Sequence, residues 1–164
     1  MGMPVDVKSF REAMARFPGA VTLVTTAGAG ERRGITATAV CSVTADPPSL
    51  LVCLNRQTGT CAMVRETGRF NVSLLAGDAQ EIALRFAGAG GVTGEDKFAL
   101  GRWTEDSRGL PVLADAVTTF SCEVAEMTDA GSHTVFIGQI TELAVGEAPA
   151  LIYERSRFHR LQPL

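Results

Sequence analysis

The sequence predicts a mainly β protein, an antiparallel barrel that carries a few short helices. Three observations lead there. Apolar and β-branched runs of strand length recur six or seven times, most of them separated by turn residues. Only three segments have helical spacing, too few and too scattered for alternating β-α units. The 164 residues suit one domain, with no internal repeat and no linker between parts, so residues 1–164 are expected to form a single unit.

Each element has a local reason. Val7, Phe10, Met14 and Phe17 are spaced 3, 4 and 3, which puts them on one helical face, and Pro18-Gly19 ends that helix. Residues 20–27, AVTLVTTA, are β-branched and read as a strand. Gly28-Ala29-Gly30 turns the chain into a second strand through about Thr38. Asp46-Pro47-Pro48 then interrupts any central strand or helix interior. SLLVCL (49–54) is a continuous apolar run, expected of a strand buried on both faces. Thr58-Gly59-Thr60 leads into a short helix, CAMVRET, and RFNVSLLA (69–76) is another strand. Asp78 with Glu81 three residues on has the spacing of a capping box, for a helix through Phe86 that runs out at GAGG (88–91). Residues 92–112 read as loop with one turn of helix near GEDKFAL. Phe120, Cys122 and Val124 alternate with Ser121, Glu123 and Ala125 in a half-buried strand. Ala130-Gly131-Ser132 turns it into a second long strand over 133–145, where Gly138 marks a bulge or a close approach. ALIYE (150–154) is a last short strand.

Composition narrows the function classes. Hydrophobic residues are 46% and charged residues 20%, too apolar for a disordered chain. A net charge of −3 argues against nucleic acid, because phosphate neutralisation needs a basic face. No apolar run is long enough for a membrane-spanning helix, and the N-terminal residues do not have the pattern of a signal peptide. The expected location is therefore the cytoplasm, with Cys41, Cys53, Cys61 and Cys122 as reduced, mostly buried thiols. No two of them have CxxC spacing, and His133 and His159 are the only histidines, so no metal site is expected. Thirteen of the fifteen basic residues are Arg, which with abundant Ala and Gly points to a GC-rich bacterial genome.

The usual catalytic signatures fail on inspection. Gly28-Ala29-Gly30 and Gly88-Ala89-Gly90 are followed by Arg33 and Thr93 where GxGxxG needs glycine, and there is no Walker, HExxH or GxSxG motif. What remains is a barrel poor in acid-base groups and rich in small polar residues, which suits a cofactor that carries the chemistry itself. Three features fit. GITAT (34–38) puts small residues at a strand end where a flat ring can lie against the backbone, or it is an ordinary edge strand. Thr58-Gly59-Thr60 can offer N–H groups and the Thr60 hydroxyl to a phosphate, or simply cap the helix. His133 follows a Gly-Ser turn, where an exposed histidine is commonly unremarkable.

In order along the chain, FPGAVTLVTT (17–26), GITATAVCSVTADPPSLLVCLNRQTGT (34–60), FNVSLLA (70–76), LRFA (84–87), DKF (96–98), Trp103, GLPVLADAVTTFSCEV (109–124), GSHTVFIGQI (131–140) and ALIYERSRF (150–158) resemble the short-chain NAD(P)H:flavin reductase family. These are the small components of two-component flavin-dependent monooxygenases, with the FMN-binding split-barrel fold. The resemblance implies an antiparallel split β-barrel that moves hydride from NADH or NADPH to FAD or FMN, with no catalytic side chain. It implies a homodimer that releases reduced flavin to a partner flavin-dependent monooxygenase. Ile35, Thr36, Ala37 and Thr38 would lie along the isoalloxazine, with Ser42 and Val43 close behind. Cys53, Leu54 and Asn55 would touch the ring or ribityl chain, and Thr60 and Cys61 would receive the phosphate. Arg85, Lys97 and Phe98 match a group near the phosphate or ring edge. Ser132 and His133 match the nicotinamide nucleotide site, where the family's usual Gly-Asp-His reads Gly131-Ser132-His133, and Tyr153 lies in the segment that can close over the nucleotide. Two alternatives stand beside this reading. One is a pyridoxamine-phosphate-oxidase-like protein with tightly bound FMN, which needs a basic cluster where Arg32, Arg33 and Arg56 look scattered. The other is a non-catalytic flavin or haem binder with His133 as an axial ligand.

Overall fold

The computed structural model describes residues 4–164. Asp6 opens the first helix, α1 (Val7–Met14), its carboxylate accepting from the Ser9 amide at 3.0 Å and the Ser9 hydroxyl at 2.6 Å. The apolar stripe is there, but Val7, Phe10 and Met14 are exposed, as is Phe17 beyond the helix end. No part of the described chain packs over them.

After β1 (Gly19–Ala20) come β2 (Thr22–Gly28), β3 (Glu31–Ala37), β4 (Val40–Ala45) and β5 (Pro48–Asn55). The helix α2 (Gly59–Thr67) leads to β6 (Arg69–Leu74), and α3 (Gln80–Phe86) follows. Two 3-10 turns, Ala89–Gly91 and Gly94–Ala99, precede the small hairpin β7 (Trp103–Glu105) and β8 (Pro111–Leu113). The long pair β9 (Thr118–Ala130) and β10 (His133–Val145) and a closing hairpin β11 (Leu151–Glu154) and β12 (Arg157–Arg160) complete the chain.

The main sheet has seven antiparallel strands in the order β3-β2-β6-β9-β10-β5-β4. Its two edge strands, β3 and β4, are consecutive in sequence and joined through Thr38-Ala39, so the sheet must curl until its ends meet. The Cys53 amide donates to the Ala39 carbonyl at 3.1 Å and extends the β4–β5 ladder onto that link. The result is the expected mainly β, split antiparallel barrel. β1 joins β11 and β12 in a separate three-stranded sheet.

Alternation along the strands feeds two apolar clusters. Val24, Val52, Leu54, Phe70, Val72 and Phe136 meet Cys61 and Val64 of α2. On the other side of β2, Val21 and Leu23 meet Ala83, Phe86, Phe98 and Leu151. Phe70, Phe86 and Phe136 are fully buried, and truncating one such ring to Ala costs about 3–5 kcal/mol. Gly138 is both things its position predicts: the β9–β10 register shifts at Ile137/Gly138, and a Cβ there would lie 2.6 Å from the Phe70 ring and 2.8 Å from Cys122 Cβ.

Several expectations need correction. Helix α3 is capped at Ala79, with no side-chain cap bond, so Asp78 and Glu81 do not form a capping box. Residues 49–54 are not buried on both faces: Leu50, Val52 and Leu54 are, while Leu51 and Cys53 between them are half-buried. The reason is that the barrel wall has packing on its inner side and only partial cover outside. The stretch before Asp46-Pro47 is an edge strand, β4, where proline at the following turn does no harm. The loop over 92–112 contains the β7–β8 hairpin, pinned by Asp106, which accepts from the amides of Arg108 and Leu110, each at 2.9 Å. β12 follows an Arg155-Ser156 turn whose residues both have positive φ, without the Gly or Asn that announces such a turn. Of the four free cysteines, Cys61 and Cys122 are buried, Cys53 is half-buried and Cys41 is exposed.

Candidate functional site

Two neighbouring cavities flank β3. The first, about 380 Å³, lies between β3, the start of α2 and the 3-10 turn at Gly94–Ala99, and is lined by Arg33, Ile35, Thr60 and Lys97. The sequence builds its floor locally. The Asn55 carbonyl accepts from the Thr58 amide at 3.1 Å and the Thr58 hydroxyl at 2.8 Å, which closes the turn into α2. The Thr58 hydroxyl then accepts from the Cys61 amide at 3.2 Å. That leaves the amides of Gly59 and Thr60 as uncapped donors of the first turn, beside the Thr60 hydroxyl.

Two cations stand over those donors. Lys97 Nζ donates to the carbonyls of Gly34, at 3.1 Å, and Phe86, at 2.9 Å, so the ammonium is held in place. Partial burial, and then the charge of Arg33, push its pKa down. The Arg33 side chain passes over Gly59, where an added Cβ would sit 3.3 Å from its Nε. Arg85 stands beside the loop that carries Lys97. Its guanidinium donates to the Asp96 carbonyl at 2.6 and 3.1 Å and to the Lys97 carbonyl at 3.2 Å. It shapes the loop that carries Lys97 rather than facing the cavity.

The second cavity, about 240 Å³, lies at the far end of β3 and is lined by Thr36, Ala37, Thr38, Leu84, Tyr153 and Phe158. β3 is an edge strand, so half of its backbone groups point away from β2. The Thr36 hydroxyl donates to the Ala83 carbonyl at 2.6 Å and ties the strand to α3. Tyr153 and Phe158 form an aromatic pair with ring centroids 5.1 Å apart. At the first cavity β3 carries Gly34 for a packing reason: a Cβ there would lie 2.6 Å from the Phe86 ring.

The structure thus brings together Ile35, Thr60 and Lys97 at one end of β3 and Thr36, Ala37, Thr38 and Tyr153 at the other. The remaining candidates stand elsewhere. Leu54 and Cys61 are fully buried core residues, and the Cys61 amide is taken by the Thr58 hydroxyl. Phe98 is buried against Phe86 and Trp103, with ring centroids at 5.0 and 4.8 Å. Ser42 lines an apolar groove on β4 with Val40 and Leu50, and Val43 is exposed on the same strand. Burial, then the nearby Cys41, push the Cys53 thiol pKa up. His133 is exposed at the start of β10, paired in register with Asn55, and its Nδ1 lies 2.8 Å from the Ser132 hydroxyl. Beneath that turn, Asp129 binds Arg65 at 2.7 Å, Thr134 at 2.7 Å and Arg56 at 3.4 Å. Leu84 and Phe158 were not singled out from the sequence, and Arg33 entered only as one of three scattered arginines. Arg33 carried a signal, as the residue before the GITAT run, but its partner Lys97 is 64 positions away.

The model of the flavin reductase like domain matches residues 14–162. The 4-hydroxyphenylacetate 3-monooxygenase reductase component of Pseudomonas aeruginosa is 41% identical over 156 residues, covering 94% of this chain and 92% of that one. An FMN reductase (NADH), RutF 1, of Methylorubrum extorquens is 41% identical over 160 residues, covering 97% and 79%. The NADH:FAD oxidoreductase SgcE6 of Streptomyces globisporus, solved with NAD and FAD fragments, superposes with a TM-score of 0.88 at 28% identity, covering 99% of this chain and 98% of that one. With the motif order, the split barrel and a family match over nearly its whole length, this chain belongs to the flavin reductase like family.

Proposed function

We propose that this chain is an NAD(P)H:flavin oxidoreductase of the single-domain type, which passes hydride from NADH or NADPH to FAD or FMN and supplies reduced flavin to a partner flavin-dependent monooxygenase. The observation that carries it is the pairing of cavities along β3. One offers two uncapped amides, a hydroxyl and two cations, a donor set that fits a phosphate. The other, a flat strand edge walled by Tyr153 and Phe158, fits a planar ring system.

Gly59, Thr60, Arg33 and Lys97 hold the phosphate end. Thr36, Ala37 and Thr38 orient the ring with backbone groups, and Leu84 and Phe158 keep water from its face. A bound flavin supplies the hydride acceptor, and the nicotinamide nucleotide supplies the hydride. The protein's part is to hold the two rings at near-attack distance and to place N–H groups where charge develops. No general base is needed. Ser132 holds the His133 ring beside the nucleotide, and Tyr153 closes over it. The flavin is held by noncovalent contacts that let it leave after reduction.

The reading includes a second copy of the chain. Val7, Phe10, Met14 and Phe17 expose a continuous apolar stripe that a homodimer contact would cover. It also includes a cytoplasmic location; among the described residues no helix is long and apolar enough to cross a membrane. The test is steady-state oxidation of NADH and NADPH with added FAD, FMN or riboflavin, together with light scattering for the dimer. Flavin-dependent NAD(P)H consumption is expected. A Soret band on the purified protein, or no flavin-dependent turnover, overturns the reading.

A further inference from the structure

A third cavity continues from the phosphate end, and it is the largest of the three, about 550 Å³. It lies at the tip of the β2–β3 hairpin. Arg33 lines both it and the phosphate cavity, and Gly94 of one is followed in sequence by Glu95 of the other. The two spaces differ in charge. Arg33 and Lys97 line the phosphate cavity, and no carboxylate is among its lining residues. The hairpin cavity instead has Glu31, Glu95 and Glu105 facing Arg32 and Arg33.

Most of those charges already have partners. Arg32 is bonded to Glu95, with its Nε at 2.7 Å, and its guanidinium lies 4.4 Å from the centre of the Phe98 ring. Arg33 is bonded to Glu31 at 2.6 Å. Glu105 makes no side-chain hydrogen bond or ion pair among the described residues. A lone carboxylate repels a further phosphate but accepts hydrogen bonds from a ribose diol or an exocyclic amine. The floor is glycine: Gly28, Gly30 and Gly109 line it, and nothing lies within 4 Å of where a Gly30 Cβ would be. Such a floor admits a flat base against the backbone.

FMN ends at its phosphate. FAD continues through a second phosphate to a neutral adenosine; with both phosphates kept at the cations Arg33 and Lys97, a ligand that continues past Arg33 presents a neutral, hydroxyl-bearing group to the hairpin cavity. We propose that the hairpin cavity binds the adenosine half of FAD, with Glu105 on its sugar or amine, so that this chain selects FAD over FMN. The inference rests on the flavin reductase reading and adds the choice of flavin to it.

Binding is measured by calorimetric titration of the full-length protein with FAD, FMN and NADH. FAD is expected to bind about tenfold more tightly than FMN, a difference of about 1.4 kcal/mol. Glu105→Trp, which fills the cavity, and Glu105→Gln, which removes only the charge, both sit on an exposed strand residue. Thermal melting checks that each folds. In both variants the FAD advantage is expected to fall, to about twofold or less for the Trp variant. Equal FAD and FMN affinities in the parent protein overturn the inference and leave flavin reduction standing. A FAD advantage that survives Glu105→Trp overturns it too. If the variants weaken NADH and spare FAD, the cavity serves the adenosine of the nicotinamide nucleotide and the inference falls. If neither flavin binds the parent, the functional reading falls with it.

Discussion

Adding one carbon at Gly34 tests how the barrel holds its site. Gly34→Ala places a Cβ 2.6 and 2.9 Å from two carbons of the Phe86 ring and 3.2 Å from Thr25 Cγ2. Phe86 is fully buried, meets Phe98 edge-on at 5.0 Å and lies 5.4 Å from Trp103, so the ring has nowhere near at hand to go. Overpacking of this kind costs about 1–3 kcal/mol. For a chain of this length each kcal/mol lowers Tm by about 2–4 °C, so the variant should melt roughly 2–12 °C lower. The perturbation also reaches the ligand end, because the carbonyls of Gly34 and Phe86 are the two acceptors that hold the Lys97 ammonium. Flavin affinity should therefore fall together with Tm. Phe86→Leu made in the Gly34→Ala background frees space and should recover part of the loss, a coupling that a double-mutant cycle reads directly. Thermal melts and flavin titrations on the four proteins are the assay. A Gly34→Ala protein that melts within about 1 °C of the parent and binds flavin as well refutes the reasoning.

The other predictions are narrower. Arg33→Ala should weaken FMN binding about tenfold, the range of a charged hydrogen bond, and weaken riboflavin far less, because riboflavin has no phosphate. Equal losses would take Arg33 out of the phosphate cavity. Thr58→Ala removes the cap on Cys61 N–H and should cost about 1 kcal/mol, measured by denaturant unfolding. Asp129 is held below the ordinary carboxylate value of 3.8, first by its hydrogen bond to Arg65 and then by Thr134. A depressed carboxylate stabilises the fold above its unfolded pKa and loses that contribution as pH falls through its folded one. The Tm gap between the parent and Asp129→Asn should thus be full at neutral pH and close in acid below the ordinary carboxylate range. A gap that widens in acid contradicts the assignment. The buried Cys122 thiol is pushed up to about 12, while Cys41 is exposed. At about pH 8 an aromatic disulfide reagent should label Cys41 in the native protein and Cys122 only after unfolding.

What could be read from the sequence follows the range of each physical signal. Strands whose reason is local alternation, such as β9 and β10, and helix α2 with its Thr58 cap, are visible from their own residues. Gly138 is legible for the same reason: glycine inside a strand has few explanations, and the Phe70 ring is the one that applies. β12 and the β7–β8 hairpin are not, because each is short and depends on what it pairs with. The Arg155-Ser156 turn has no glycine to mark it, and the Asp106 loop is organised by amides that only the folded loop presents.

The site divides along the same line. Thr60 stands at a helix start, a position that attracts phosphate wherever it occurs. Arg33 and Lys97 come to line one cavity only when the 3-10 turn folds against β3, and Arg85 bonds the carbonyls of that turn. Charge counted along the chain could not distinguish these roles. Arg32 and Arg56 looked scattered because their partners, Glu95 and Asp129, are distant in sequence, and Arg33 because the cavity it shares with Lys97 exists only in the fold. The same folding event that gathers the two cations over the α2 amides segregates the unpaired carboxylate of Glu105 into the next cavity. A boundary between a cationic and an anionic space, with one arginine on both sides, is a property of the surface the fold creates, and the proposed choice of FAD over FMN rests on it.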